Sequence, residues 1–184
     1  MEVKGAVIKS IPEFIGEKLG QEAYDLWLES ISEQARKVYS DAVYPAFWYP
    51  VKEALIEPTK VICDIFYNGD LRGAWESGRF SADYSLKGIY KVFIKFGSFE
   101  YTLKKSSVIL STYYKPSELQ IIDGDNGYAV FDMKFEESSS FLDHRLAGWI
   151  ERTMELCGVT DINVEIIKPS SEEDPHAQIQ ILWK

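Results

Sequence analysis

The chain has 184 residues and a mass of 21.1 kDa, with 46% hydrophobic and 27% charged residues, which excludes a disordered segment and leaves room for one domain rather than two. Its formal net charge of -9 is confined to the last third: residues 1–115 hold 15 Lys and Arg against 15 Asp and Glu, whereas residues 116–184 hold 5 against 14. A binder of nucleic acid or of an anionic membrane surface needs a dense basic face, so both roles are excluded, and no apolar run is long enough to span a bilayer.

Val3 to Ile8 reads as a short extended start. Ser10-Ile-Pro-Glu13 has the form of a capping box, with Ser10 at the N-cap, Glu13 three residues on and Pro12 tolerated in the first turn. Gly20 ends that helix, and Gln21 to Ser32 follows as a second, with Leu26, Trp27 and Ile31 on its apolar side. A polar stretch through Arg36 and Lys37 leads into YPAFWYP at 44–50, which holds four aromatics in seven positions. A residue before proline avoids the α region, so Tyr49-Pro50 predicts a rigid corner, with Pro50 opening the next helix and Trp48 at the mouth of the helical layer.

Val51 to Tyr67 is helical in pattern, with Pro58 forcing a kink or a fresh start and Asn68-Gly69-Asp70 ending the run. Three helices are then expected. Leu71 to Ser77 ends at Gly78; Ser85 to Phe96 puts Leu86, Ile89, Tyr90 and Phe93 on one face and Lys87, Lys91 and Lys95 on the other; the last runs from a Ser98 cap to Tyr114, striped by Phe99, Leu103, Leu110 and Tyr113.

At Pro116 the period changes from helical to alternating. Leu119 to Asp123 and Tyr128 to Phe135 flank Asn126-Gly127, a hairpin signal because that pair accepts positive φ. An amphipathic helix from Ser139 or Ser140 to Cys157 stops at Gly158 and directs Leu142, Leu146, Trp149, Ile150 and Met154 inward. Strands at Ile162 to Lys168 and Gln178 to Trp183 close the chain. The predicted class is α+β: one domain over 1–184, with a helical part (1–115) packed on a four-stranded antiparallel sheet of order β-β-α-β-β (116–184).

Catalytic chemistry has little to draw on. Only His144 and His176 are present, and His144 cannot converge with Asp143 because adjacent helix positions point about 100° apart. The glycines at 69–73 and 124–127 lack phosphate-loop spacing, and Glu172-Glu173-Asp174 lacks the spacing of a calcium loop. No catalytic residue, metal site or cofactor is expected, and the protein is read as no enzyme. Cys63 and Cys157 are expected as buried free thiols of a reducing compartment. The opening MEVKGAVIKSIPEF has no apolar leader core with a cleavage site, so a cytoplasmic location is expected. The Lys87, Lys91 and Lys95 stripe reads as a solvated face able to dock an acidic partner, a second copy included.

The aromatics carry the functional signal, because an apolar pocket with a few polar handles is how small-molecule sites are built. Candidate handles are Tyr49, Tyr90, Tyr113 and Arg145; candidate walls are Trp48, Phe66, Phe93 and Trp149. The stretch MEVKGAVIKSIPEFIGEKLG resembles the opening of heme-NO-binding domains, and the ending from AGWIERTMELCG to QIQILWK is similar to the close of the wider superfamily that includes four-vinyl-reductase-type domains. WYP, NGD, SGRFSA, GIYKVFIKFGS and the YY pair resemble a bacterial, myxobacteria-expanded family of unknown function with the same architecture.

The resemblance implies a ligand-binding, signalling fold. Heme-binding members carry a proximal histidine on a central helix and a Tyr-x-Ser-x-Arg element for the propionates; Val51 to Tyr114 contains no histidine, and no such element occurs. The cysteines of four-vinyl-reductase-type domains are also missing from the turn Asp174-Pro-His-Ala-Gln178. Two readings stay open: a non-enzymatic sensor for a small apolar or amphipathic ligand without heme, or an oligomerising scaffold, such as a homodimer, with a filled core.

Overall fold

The computed structural model describes the backbone of residues 1–86 and 99–184, and the side chains of 1–85 and 105–184. Strand β1 (Glu2–Lys4) passes directly into helices α1 (Gly5–Ile8) and α2 (Ser10–Lys18), so the extended start ends four residues early. Ser10 is not a cap. Lys9 keeps right-handed helical backbone between α1 and α2, and the Ser10 hydroxyl donates to the Val7 carbonyl at 2.8 Å. The true helix start is capped from a distance, because the amides of Gly5 and Ala6 donate to the Phe47 and Pro45 carbonyls at 2.9 and 3.0 Å.

Gly20, with φ 94°, ends the second helix as expected and leads into α3 (Gln21–Ser30). The polar stretch after it is helical as well. In α4 (Glu33–Ser40) the Ser32 hydroxyl accepts from the Ala35 amide at 3.2 Å, and only Ala35 is fully buried, which leaves almost no apolar stripe to read.

The YPAFWYP segment corrects a second expectation. Trp48–Pro50 forms strand β2, and Pro50 is its last residue rather than the first of a helix; the Val51 amide donates to the Met1 carbonyl at 3.1 Å. With β3 (Tyr114–Lys115), this makes a small antiparallel sheet of order β2-β1-β3, in which Val3 stands opposite Tyr49 on one side and Tyr114 on the other. Proline is tolerated there because β2 is an edge strand.

A π-helical turn (Lys52–Ile56) leads into α5 (Glu57–Phe66). Pro58 has no N–H to give the Ala54 carbonyl four residues back, and that carbonyl takes the Tyr39 hydroxyl from α4. The same junction receives the Trp27 indole N–H, which donates to the Pro58 carbonyl at 3.1 Å, and Glu57 accepts the Ser32 amide and hydroxyl at 2.6 and 3.0 Å. The break that Pro58 makes is thus where α3 and α4 are fastened on. Asn68 and Gly69, at φ 54° and 81°, end α5 as expected.

Helix α6 (Arg72–Leu86) does not stop at Gly78 but runs through it, so Ser85 starts no helix either. Its main partner is α8 (Ser140–Leu156), and the two meet at glycines: a Cβ on Gly78 would stand 1.9 Å from the Arg145 carbonyl oxygen, and one on Gly148 would stand 2.1 Å from that of Trp75. Gly78 is therefore a packing residue, not a terminator. The expected faces formed by Ile89, Tyr90 and Phe93 and by Lys87, Lys91 and Lys95 lie outside the described residues. Helix α7 (Phe99–Tyr113) follows.

The C-terminal part has the predicted architecture. Strands β4 (Ser117–Asp125), β5 (Tyr128–Phe135), β6 (Asn163–Lys168) and β7 (His176–Leu182) form an antiparallel sheet of order β4-β5-β7-β6, with α8 between the two hairpins in the chain. Asn126-Gly127 makes the first turn, and Gly127 has φ 82° with its carbonyl accepting from the Trp183 amide at 3.0 Å. Phe131, Met133, Phe135, Ala177, Ile179 and Ile181 fill the buried face, and Tyr114 of the small sheet meets Phe135 edge-on at 5.8 Å. Asp143, fully buried in the first turn of α8, accepts the Ser170 amide at 2.9 Å and its hydroxyl at 2.9 Å, which fixes the β6–β7 loop to the helix. No helix among the described residues is long and apolar enough to cross a membrane.

Candidate functional site

Arg145 extends from the middle of α8 into the junction of α1, α2 and α6, and is 2% exposed. Its guanidinium donates to the Ser77 hydroxyl, to the Ser10 hydroxyl at 3.0 Å and to the Val7 carbonyl at 3.4 Å. Every one of these acceptors is neutral. Among the described residues no carboxylate pairs with it, and the titratable groups that act on it are the phenols of Tyr114 and Tyr39. Burial pushes the guanidinium pKa down, which the two phenols oppose; burial likewise pushes Tyr114 up to about 12 and Tyr39 further, against the pull of Arg145. A buried cation left without a counter-charge is among the costlier arrangements a protein interior holds.

The nearby arginines show the ordinary solution. Arg79 on α6 pairs with Glu151 and with Glu155, the latter at 2.9 Å, while Arg152 reaches Asp83 at 3.0 Å and Glu155 at 2.7 Å; the Trp75 indole joins through Glu151 at 2.8 Å. The α6–α8 seam thus supplies carboxylates to its half-buried arginines and none to the buried one.

The other candidates are distributed around this point. Trp48 and Tyr49 are neighbours on β2 and face opposite ways. Trp48 lies on the outer face beside Lys4 and Lys115, whose ammonium groups sit 5.1 and 4.2 Å from its ring centroid. Tyr49 lies on the inner face across Val3 from Tyr114, and its hydroxyl accepts the Tyr44 amide at 2.9 Å. Phe66 and Tyr113, the last residues of α5 and α7, pack partly buried against the core. Trp149 is half-buried one helical turn beyond Arg145, on the same side of α8. Tyr90 and Phe93 lie outside the described residues. The polar groups that act on Arg145 are Ser10, Ser77, Tyr39 and Tyr114; the sequence pointed to Ser10 only as a helix cap and to none of the four as a site residue. Tyr114 entered only as half of the YY pair, because the helical stripe selected its neighbour Tyr113 as the handle.

The histidines are elsewhere. His144 Nδ1 lies 2.7 Å from the Ser140 carbonyl in the first turn of α8, with the ring edge-on to Trp75; His176 Nδ1 lies 2.7 Å from Asp132 Oδ2 on the β5–β7 pair. Residues spaced as Tyr-x-Ser-x-Arg share one face of a strand, and the buried face of β5 at that spacing is Phe131, Met133 and Phe135, which offers no group to a carboxylate. These residues do not fit a histidine-ligated heme with propionates held in that way. Among the described residues no group of three or more His, Cys, Asp and Glu is placed to hold a metal ion. Burial pushes the Cys63 thiol up to about 11, far from the range of a reactive thiolate.

No protein-family model matches the sequence, and no curated protein matches it. The fold is nonetheless shared. An H-NOX protein from K. algicida, solved as Fe(II) unliganded, superposes with a TM-score of 0.73 at 12% identity over 98% of this chain and 96% of that one. An H-NOX protein from S. oneidensis in the Fe(II)NO ligation state gives a TM-score of 0.73 at 14% identity, covering 98% and 99%. A doubly substituted variant of Tt H-NOX gives 0.70 at 14% identity, covering 98% and 95%. At such identities the likeness establishes the fold alone: the chain has an H-NOX-like α+β fold.

Proposed function

We propose that the chain is a non-enzymatic, cytoplasmic sensory domain that uses an H-NOX-like fold to hold a small ligand without heme, and anchors that ligand through Arg145. The observation that carries the reading is the buried Arg145 guanidinium, surrounded by neutral oxygens at the junction of the N-terminal helices with α6 and α8. Among the described residues none brings this cation a negative charge, and a ligand with an acidic group or a strong acceptor would do so. The ligand is therefore small and amphipathic, with an acidic or electron-rich group for Arg145 and an apolar body for the aromatics. Phe66, Trp149 and Phe93 remain candidate walls and Tyr49, Tyr90 and Tyr113 candidate polar handles, which Tyr39 and Tyr114 join; Trp48, on the outer face of the small sheet, is set apart from them. Solved H-NOX proteins described in Fe(II) and Fe(II)NO states support a sensing use of the architecture. Membership of the bacterial family of unknown function belongs to the same proposal.

Native against denaturing mass spectrometry of the purified protein tests it. A small mass retained by the wild type and absent from Arg145→Met is the expected result; a Soret band, or an equal mass retained by both, overturns it. A second reading, a scaffold that pairs with itself, is favoured by the exposed aromatics Tyr44 and Phe47.

A further inference from the structure

We infer that two adjoining surfaces, a basic aromatic ledge and an acidic cleft, join two copies of this chain into a closed pair. The inference deepens the scaffold reading by naming its surface, and it stands whether or not Arg145 holds a ligand.

The ledge is the outer side of the small sheet and the loop that feeds it. Tyr44 and Phe47, 56% and 60% exposed, have ring centroids 5.2 Å apart. Trp48, the next residue in the chain, is overlain by the ammonium groups of Lys4 and Lys115. In register, Trp48 stands opposite Lys4, and Lys115 opposite Glu2, so all four side chains share the face away from Val3. Lys115 also pairs with Glu2 at 3.1 Å, which keeps its ammonium over the sheet.

The ledge is rigid. The Tyr44 carbonyl lies on Gly5, where a Cβ would stand 2.1 Å from it, and the Pro45 and Phe47 carbonyls are held by α1. Two large exposed aromatics on a fixed support are unlike scattered surface apolar residues, because no side of the loop is free to turn them inward.

The cleft begins where the ledge ends, since Lys115 is followed by Pro116. It has a volume of about 570 Å³, with Pro116, Phe135 and Pro175 as apolar lining and Glu118, Glu136, Glu137 and Glu172 against the cation Lys134. Glu136 meets the Met1 ammonium at 3.3 Å and stays 65% exposed. Apolar floor and acidic rim complement apolar knob and basic rim. Because both surfaces are on every copy and adjoin, a two-fold axis between them lets each ledge enter the partner's cleft, satisfying both contacts at once.

Sedimentation equilibrium across protein and salt concentration tests the pairing, with circular dichroism melts to show that each variant is folded. The wild type is expected to dimerise, more weakly at high salt, and Phe47→Asp to weaken association at least tenfold. The paired reversals Lys4→Glu with Lys115→Glu, and Glu136→Lys with Glu137→Lys, are each expected to be monomeric alone. Mixed in equal amounts they are expected to associate, because both ledge–cleft contacts regain opposite charge. A wild type that stays monomeric, a dimer indifferent to Phe47→Asp, or charge variants that do not recover on mixing overturns the inference. So does a monomer that instead binds an acidic, aromatic test peptide, which assigns the ledge to a partner of different sequence.

Discussion

Gly78 rests against the backbone of Arg145 so closely that a methyl group there would stand 1.9 Å from the Arg145 carbonyl oxygen. The obstacle is backbone, with no rotamer to give way, so α6 and α8 must separate for the side chain to fit. Gly78→Ala is expected to cost about 3 kcal/mol, at the upper end of overpacking effects, and Gly148→Ala a similar amount. Urea denaturation monitored at 222 nm measures it; a loss under about 0.5 kcal/mol would show the contact to be looser than described.

Arg145 yields the opposite sign. Replacing buried ionic groups with apolar residues of similar volume is often neutral or stabilising by about 1–4 kcal/mol, and among the described residues Arg145 has no carboxylate partner to lose. Ser10 keeps the Val7 carbonyl as its own acceptor, whereas the buried Ser77 hydroxyl loses the hydrogen bond described for it, which offsets part of any gain. Arg145→Met is therefore expected to hold or raise the melting temperature of the ligand-free protein while abolishing ligand retention. Arg145→Lys keeps the charge but not the fork, and is expected to fall between. Thermal melts alongside mass spectrometry check both halves.

The Pro58 junction supplies a third test. Tyr39→Phe removes the hydroxyl that serves the Ala54 carbonyl and leaves that carbonyl with no side-chain donor. A loss of about 1–3 kcal/mol is expected, the cost of an unsatisfied buried acceptor. Trp27→Phe, which strips the donor from the Pro58 carbonyl and some core volume, should exceed it in the same urea assay.

Two carboxylates on α8 titrate in opposite senses. Burial raises the Glu155 pKa, but hydrogen bonds and charge from Arg79 and Arg152 outweigh it and bring the net value below the ordinary 4.5. Its contribution to stability is present above pH 4.5 and lost as pH falls through the folded value. Burial raises Asp143 above its ordinary 3.8, with the Ser170 amide and hydroxyl and His144 only partly offsetting it. That contribution is full below pH 3.8 and lost as pH rises through the folded value. Relative to wild type, Glu155→Gln should be most destabilised near neutrality and converge below pH 4.5, whereas Asp143→Asn should gain as pH rises above 3.8. Melting temperatures from pH 2.5 to 7 distinguish the two curves.

The large sheet and α8 were legible because their signals are local: Asn126-Gly127 with alternating strands, and an amphipathic stripe ended by Gly158. The small sheet was not, since strands of two or three residues are too short to alternate and their pairing joins residues 3, 49 and 114 across the chain. Gly78 misled for a related reason: glycine reads as a stop locally, and its use as a contact shows only when α8 is beside it. Of the candidate site, Arg145 was named from the sequence as a polar handle in an apolar helix. Ser10 and Ser77 were not, because their roles depend on which helices cross there.

Helices separated by a layer of side chains can slide a little as those side chains change rotamer. Where Gly78 meets Arg145 and Gly148 meets Trp75, backbone lies against backbone with no side chain between them. Asp143 ties α8 onward to the β6–β7 loop. The close helix pair and the β6–β7 loop are thus joined by contacts that side-chain rotamers cannot loosen, so the three are expected to shift as one body.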